Sequence, residues 1–149
     1  MADTSFRQPR ADDRACINAV VSRYAHNARE GVQVSTDMLP LFTADAVAIL
    51  PDGTRVPIAN LADVLRGEEA KFIRHHITTI DISFTAPDQA RVESGFIAIT
   101  NEASPDHWGC WQDRFVKQDD GSWLIQERAI VVHGASPQGW FHRMYSDAT

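Results

Sequence analysis

Cysteine is scarce in this sequence, which contains only Cys16 and Cys110 among its 149 residues. Two cysteines form neither a disulfide framework nor a zinc-binding pattern, so we interpret both as small buried hydrophobic residues. Long apolar runs are also missing, and residues 46–50, one of the longest, are far too few to cross a membrane. Residues 1–13 contain no apolar stretch of the kind found in a secretory signal. These absences predict a cytoplasmic protein with no membrane partner.

Positive charge is not in excess, because 14 Lys and Arg residues face 20 Asp and Glu residues, for a net charge of −6. Nucleic acids and anionic surfaces are bound by basic patches, so we expect no nucleic-acid partner. There is no glycine-rich phosphate loop or nucleotide fingerprint. The adjacent pairs Asp106–His107 and His75–His76 could suggest a metal, but no further ligands stand at the required spacing. We therefore predict no metal and no cofactor.

The hydrophobic pattern predicts one domain of common size. An apolar stripe at helical spacing runs through residues 12–28. Further along, the patterns predict a short helix near residues 37–42, strands at 44–50 and 54–58, a helix at 61–72, and four long strands between 74 and 133. Antiparallel strands gathered after helices predict an α+β fold in which helices cover one face of a curved sheet. We place the core at about residues 11–134 and expect less order at the termini.

The last two strands flank Asp120–Gly121, a dipeptide typical of a two-residue type I′ hairpin turn. If Asp119 pairs with Ser122, the register places Asp113 opposite Arg128. We interpret this pair as a structural ion pair, because directly opposed charges on neighbouring strands stabilise the register.

Neither face of this hairpin is purely polar. One predicted face carries Trp111, Phe115, Leu124 and Ile130, and the other carries Trp108, Cys110, Val116, Ile125, Val131 and His133. A sheet with no purely polar, solvent-facing side must be covered on both faces. Helices cover one face, and we expect a second copy of the chain to cover the other, which gives a homodimer that forms through the sheet.

Several short motifs together resemble a known superfamily. They are R-Y-A at residues 23–25, L-F-T-A-D-A-V at 41–47, P-D-G at 51–53, R-H-H-I-T-T at 74–79, G-C-W-Q-D at 109–113 and D-G-S-W-L-I-Q-E-R at 120–128. In this order they resemble the nuclear transport factor 2-like superfamily and, within it, the SnoaL-like group. The resemblance implies a cone-shaped α+β barrel, in which a curved, mostly antiparallel sheet wraps around N-terminal helices and leaves a deep apolar pocket. The superfamily includes ketosteroid isomerases, dehydratases and polyketide cyclases, and also proteins that only bind ligands, so the fold does not define a function.

The resemblance implies that Tyr24, on the first helix, and His75, on the first long strand, reach the pocket as catalytic residues. A neutral histidine can abstract a proton beside a carbonyl while a tyrosine hydroxyl polarises the oxygen. Tyr24 could equally be a core residue of the apolar stripe. His75 and His76 point to opposite faces of a regular strand, and a bulge could exchange them. Thr79 has the same parity as His75.

The expected pocket wall is aromatic and contains Phe96, Trp108 and Trp111, with His76 and Thr79 as further lining residues. Related dehydratases pair the histidine with an aspartate, but Ala25 and Arg29 occupy the usual positions.

His26, Asn27 or Asp45 could replace the missing acid. The hypothesis is a cofactor-independent lyase or isomerase that acts on an apolar, ring-containing, oxygenated compound. The alternative is a non-catalytic ligand-binding or dimeric accessory module.

Overall fold

The computed structural model describes Thr4, Arg7 and residues 9–28, 37–64 and 69–146. The chain opens with helix α1, Ala11–Asn27, which buries the apolar stripe through Ile17, Val21 and Tyr24. Asp12 and Asp13 lie in its first turn, where negative charge interacts favourably with the helix dipole.

Within the described residues, six strands and two further short α-helices follow α1. They are β1 Phe42–Ile49, β2 Arg55–Pro57, α2 Leu61–Val64, β3 Ile73–Ala86, β4 Gln89–Thr100, β5 His107–Lys117, β6 Trp123–Ala135 and α3 Trp140–Tyr145. The helix predicted at residues 37–42 is instead a 3₁₀ turn, Leu39–Leu41, with Pro40 at its start. Of the helix predicted at 61–72, the described residues show only α2. Residues 65–68 lie outside the described part of the chain, and Phe72 is not helical. No element was predicted where α3 forms.

The strands form one sheet in the order β2-β1-β6-β5-β4-β3. Only the β1–β6 pair is parallel among the described residues. Helix α1 packs against β3 and β6, so its buried stripe and the inner face of the sheet form a common core. The protein is therefore α+β, as predicted, with a curved sheet that stays open at β2 and β3.

The hairpin between β5 and β6 differs from the predicted two-residue turn. The Gln118 N–H donates to the Ser122 carbonyl at 2.8 Å, so Gln118 rather than Asp119 pairs with Ser122. The Gly121 N–H donates to the Gln118 carbonyl at 2.9 Å. Gly121 has φ of 86° and no described non-glycine residue has a positive φ. A type I′ turn requires two such residues, so this loop is a type I turn followed by a left-handed glycine.

A bulge restores the register that the longer loop displaces. Phe115 lies opposite Ile125, whereas Asp113 lies opposite Arg128, so Gln126 is the extra residue. The predicted pairing next to the turn is therefore wrong, yet the predicted Asp113–Arg128 pairing is present. The bulge also puts Ile125, rather than Leu124, among the fully buried core residues.

Candidate functional site

An apolar cavity of about 80 Å³ lies between α1, the inner face of the sheet and α3. Its apolar wall consists mainly of Leu50, Leu61, Ile73, Phe96, Trp111, Ile130, Trp140 and Phe141. Besides the indole N–H groups of its two tryptophans, the lining carries four side chains with polar groups: Tyr24 from α1, His75 from β3, His107 from β5 and Tyr145 from α3. The cavity is thus an apolar space with a small set of convergent polar groups, which is typical of a small-molecule site.

Four of the residues singled out from the sequence line this cavity: Tyr24, His75, Phe96 and Trp111. They come from four different elements and meet because side chains alternate along each strand and recur along one face of the helix.

The other three expected lining residues, His76, Thr79 and Trp108, do not line the cavity. His76 follows His75 on the strand and is exposed on the opposite face.

The parity argument for Thr79 fails because β3 contains a bulge. The register shifts between Ile77 and Ile80, so that Thr78 and Thr79 both face Gly95. A Cβ on Gly95 would lie 2.5 Å from the Thr78 hydroxyl and 2.9 Å from the Thr79 hydroxyl, which explains the glycine. Thr79 is exposed.

Trp108 lies on the outer face of the sheet and is 38% exposed. Its indole covers Gly134, where a Cβ would collide with the ring. The two tryptophans of β5 thus serve opposite faces, with Trp111 buried in the cavity wall and Trp108 outside.

Beneath the cavity, the Arg128 guanidinium lies between two aromatic rings, 4.0 Å from the Tyr24 centroid and 4.1 Å from the Trp111 centroid. Arg128 Nε and Nη2 donate to the two Asp113 carboxylate oxygens at 2.8 and 2.7 Å. Both residues are buried. Burial opposes the charge on Arg128, but the Asp113 carboxylate raises the pKa of Arg128 above its ordinary value. Burial raises the pKa of Asp113, although the charge and hydrogen bonds of Arg128 oppose the rise. The two short hydrogen bonds make the pair a bidentate bridge that supports the floor of the cavity.

His75 has no hydrogen-bond partner at its buried Nδ1. Its ring packs against Phe96 and Trp111, with centroids 5.3 and 5.0 Å away. Burial lowers the pKa of His75 to about 3, and repulsion from protonated His107, from Arg128 and from protonated His76 acts in the same direction. His75 is consequently neutral at physiological pH and a much weaker base than a free imidazole.

A His–Asp dyad absent from the expected positions is present at the start of β5. His107 Nδ1 lies 2.8 Å from Asp106 Oδ1, and both residues are buried. Burial alone would raise the pKa of Asp106, but hydrogen bonds from His107, Thr100 and two backbone N–H groups lower it below its usual value. An ionised carboxylate accepts hydrogen bonds only, so we assign the His107 proton to Nδ1 and leave Nε2 as the acceptor.

Burial lowers the pKa of His107, although the hydrogen bond and charge of Asp106 partly counteract it. His107 is therefore a neutral imidazole held in one tautomer by a carboxylate. This arrangement is typical of a general base.

The substitutes considered for the missing acid are elsewhere. Asp45 is exposed and accepts a hydrogen bond from the Thr43 hydroxyl at 2.8 Å. His26 is exposed, and the Asn27 amide donates to the Asp37 carbonyl at 3.1 Å. Asp106 was visible in the sequence beside His107, but adjacent residues normally point to opposite faces of a strand, so the pair did not indicate a dyad.

Within the part of the chain that the structure describes, no three His, Cys, Asp or Glu side chains come together as metal ligands. None of the described helices has the length and apolar character needed to span a bilayer.

An open groove of about 680 Å³ adjoins the cavity. It follows β6 from Ala129 to Ala135 and shares Leu50, Pro51, Ile130, Phe141 and Tyr145 with the cavity wall. These shared side chains separate the two spaces.

Comparison with known proteins identifies a family and a fold. The family described as SnoaL-like domain matches residues 9–129. No curated protein sequence matches the chain.

Solved structures of similar fold include a proposed scytalone dehydratase from Novosphingobium aromaticivorans, at 20% identity and a TM-score of 0.70, over 85% of this chain and 87% of that one. A hexachlorocyclohexane dehydrochlorinase, LinA-type3 from Novosphingobium barchaimii, is 12% identical with a TM-score of 0.73, over 85% and 90%. The beta subunit of a proposed aromatic-ring-hydroxylating dioxygenase from N. aromaticivorans is 17% identical with a TM-score of 0.67, over 87% and 94%. At these identities the likeness establishes the fold.

Proposed function

The chain belongs to the SnoaL-like domain family, and on that premise we propose that it is a cofactor-independent lyase or isomerase for a small, apolar, ring-containing oxygenated compound. The observation that carries the proposal is the Asp106–His107 dyad at the wall of an apolar cavity that also contains Tyr24 and His75. The names of two structural neighbours, a proposed scytalone dehydratase and a hexachlorocyclohexane dehydrochlorinase, fit this class of reaction.

In the proposed reaction, His107 Nε2 takes a proton from a carbon next to a carbonyl group. The electron pair moves onto the carbonyl oxygen, which the Tyr24 hydroxyl polarises by donating a hydrogen bond. Asp106 stabilises the imidazolium that forms on His107. The proton then returns to another carbon in an isomerisation, or to a departing hydroxyl that leaves as water in a dehydration.

His75 has a different role in this proposal from the one expected from the sequence. Its lowered pKa makes it a poor base, and its unpaired Nδ1 can hydrogen-bond to the bound compound. We therefore propose His107 as the base and His75 as a neutral group that orients the substrate.

The second candidate is a non-catalytic ligand-binding or accessory module. The size of the cavity favours it, since about 80 Å³ is well below the roughly 300 Å³ of common ligand pockets. One structural neighbour is likewise a beta subunit of a larger enzyme.

We also propose a homodimer that forms through the outer face of the sheet. Ile97 and Trp108 lie directly opposite each other on β4 and β5 and are 41% and 38% exposed. Aromatic residues are enriched in protein interfaces, and these two adjacent side chains place exposed apolar surface on the outer face.

Hydrogen exchange at carbon tests the proposed reaction without knowledge of the substrate. Ring-containing ketones such as 2-tetralone are incubated with the protein in D₂O, and deuterium uptake beside the carbonyl is followed by NMR. We expect His107→Gln to lower the exchange rate by about 10²- to 10⁴-fold and His75→Gln to have a smaller effect. His26→Gln, which changes an exposed histidine on α1 outside both the cavity and the groove, is the matched control.

Each variant must keep a melting temperature close to the parent's for the rates to be compared. Full exchange activity in His107→Gln would remove that residue from the mechanism. Saturable binding of the ketones without any exchange would instead favour the binding module.

A further inference from the structure

The Asp106 carboxylate serves two parts of the molecule at once. Oδ1 lies 2.8 Å from His107 Nδ1 and accepts from the Phe141 N–H at 3.1 Å. Oδ2 accepts from the Thr100 hydroxyl at 2.8 Å and from the Trp140 N–H at 2.6 Å. Each oxygen therefore has one partner in the sheet and one at the start of α3.

Helix α3 covers the cavity. Trp140, Phe141 and Tyr145 all belong to its lining, and the Phe141 ring stacks on the His107 ring with centroids 4.9 Å apart. A helix of six residues is too short to be stable alone, so its position depends on such contacts.

The closed cavity holds about 80 Å³ and the adjoining groove about 680 Å³. A ring-containing compound needs more room than the cavity provides. Phe141 and Tyr145 of α3 lie in the wall between the two spaces, so displacement of α3 would join them.

We propose that α3 is a movable cover of the site and that Asp106 is a positioning residue that couples the seating of α3 to the hydrogen-bonding state of His107. This inference rests on the proposed function, in which His107 is the base. The coupling would hold that base in the correct tautomer only while α3 closes the site. Seated α3 supplies two of the donors that hold the Asp106 carboxylate against His107. Release of α3 removes both donors and admits water to the carboxylate, which frees His107 to change tautomer.

Such coupling is reciprocal, since each of two linked equilibria shifts the other by the same factor. Loss of the His107 hydrogen bond must therefore loosen α3, just as displacement of α3 must alter His107.

Gly139→Ala tests the coupling while Asp106 and His107 both keep their side chains. A Cβ at Gly139 would lie 2.6 Å from Asp106 Oδ2, so the methyl group forces α3 and the carboxylate apart. Gln138→Ala, at the exposed neighbouring position, is the matched control. The full chain is labelled with ¹⁵N, and NMR follows the ring nitrogens of His107 and the amide exchange of Trp140 and Phe141.

For Gly139→Ala we expect amide exchange at Trp140 and Phe141 to rise about tenfold or more, together with a change in the His107 ring signals away from the Nδ1–H tautomer. Gln138→Ala should match the parent in both. Faster exchange with unchanged His107 signals overturns the coupling, and so does the absence of both changes. In the reverse direction, His107→Phe keeps a ring against Phe141, and unchanged amide exchange in it also overturns the coupling.

If Gly139→Ala does not fold, Arg143→Ala carries the same test. Arg143 Nη2 donates to Glu102 Oε1 at 2.7 Å on the surface, away from Asp106, and loss of a surface pair should raise exchange about two- to fivefold. None of these measurements uses a substrate or turnover. Failure of the coupling would therefore leave the proposed reaction standing, and an inactive protein could still show the coupling.

Discussion

His75→Phe should make the protein less sensitive to acid without a large cost at neutral pH. The buried Nδ1 of His75 has no partner, so the substitution removes no hydrogen bond at that atom. The ring contacts with Phe96 and Trp111 can be kept by a phenyl ring of similar size. We expect the free energy of unfolding at pH 7 to change by less than about 1.5 kcal/mol.

The pH effect follows from the pKa of His75, which is about 3 in the folded protein against an ordinary value of 6.5. Between these values the unfolded chain binds a proton that the folded protein does not, so the free energy of unfolding rises with pH. The contribution is complete above pH 6.5 and is lost as the pH falls toward 3. From pH 7 to pH 5 the loss for one such histidine is about 2 kcal/mol, and it changes little for any folded pKa below about 4.

Urea unfolding of parent and variant, followed by tryptophan fluorescence at pH 7, 6 and 5, measures this difference. The parent should lose about 2 kcal/mol more than His75→Phe between pH 7 and pH 5. His76→Gln removes the neighbouring histidine, which is exposed, and should follow the parent. Parallel pH profiles for the parent and His75→Phe would show that folded His75 takes up protons freely and would refute the assignment of a neutral ring with a buried Nδ1.

Arg128→Met should lower the free energy of unfolding by about 3–5 kcal/mol, because it leaves Asp113 buried without its partner. The double variant Arg128→Met/Asp113→Leu should recover much of this loss in urea unfolding. As a control, Arg114→Met removes an exposed pair with Glu127 at 4.0 Å and should lower the free energy of unfolding by less than about 1 kcal/mol. A small effect of Arg128→Met would contradict a paired, ionised bridge. Ile97→Ser with Trp108→Ser should convert a dimer into a monomer in sedimentation velocity. Val64→Ser, at an apolar position that is 47% exposed on α2, should leave the dimer intact. A parent protein that sediments as a monomer at high concentration would contradict the proposed dimer.

The positions of the strands along the chain could be predicted from local patterns because each strand has its own alternation and its own turn residues. The loop between β5 and β6 was harder, since a two-residue and a three-residue loop both place glycine next to Asp120. The two outcomes differ by one residue in register, and the bulge at Gln126 compensates for that residue. The Asp113–Arg128 pair was thus found although the turn beside it was mistaken.

Helix α3 has no comparable local signal. Six residues give too short a pattern to separate a helix from a loop, and the helix is held from outside by the Asp106 carboxylate and by burial of Trp140. Contacts between residues 34 positions apart are not present in any local window. The cover of the cavity was therefore beyond pattern analysis, whereas Tyr24 and His75 were singled out through the resemblance to the SnoaL-like group.

The Asp106–His107 pair illustrates why the acid was sought in the wrong places. Alternation along a strand sends adjacent side chains to opposite faces, and that rule holds only inside the strand. Asp106 comes just before β5 begins at His107, and its N–H donates to the Ala98 carbonyl at 2.8 Å while its side chain turns toward α3. An acid immediately before the first residue of a strand is free of the alternation and can reach the ring that follows it. A polar pair at a strand boundary is therefore a better indication of a dyad than its adjacency in the sequence suggests.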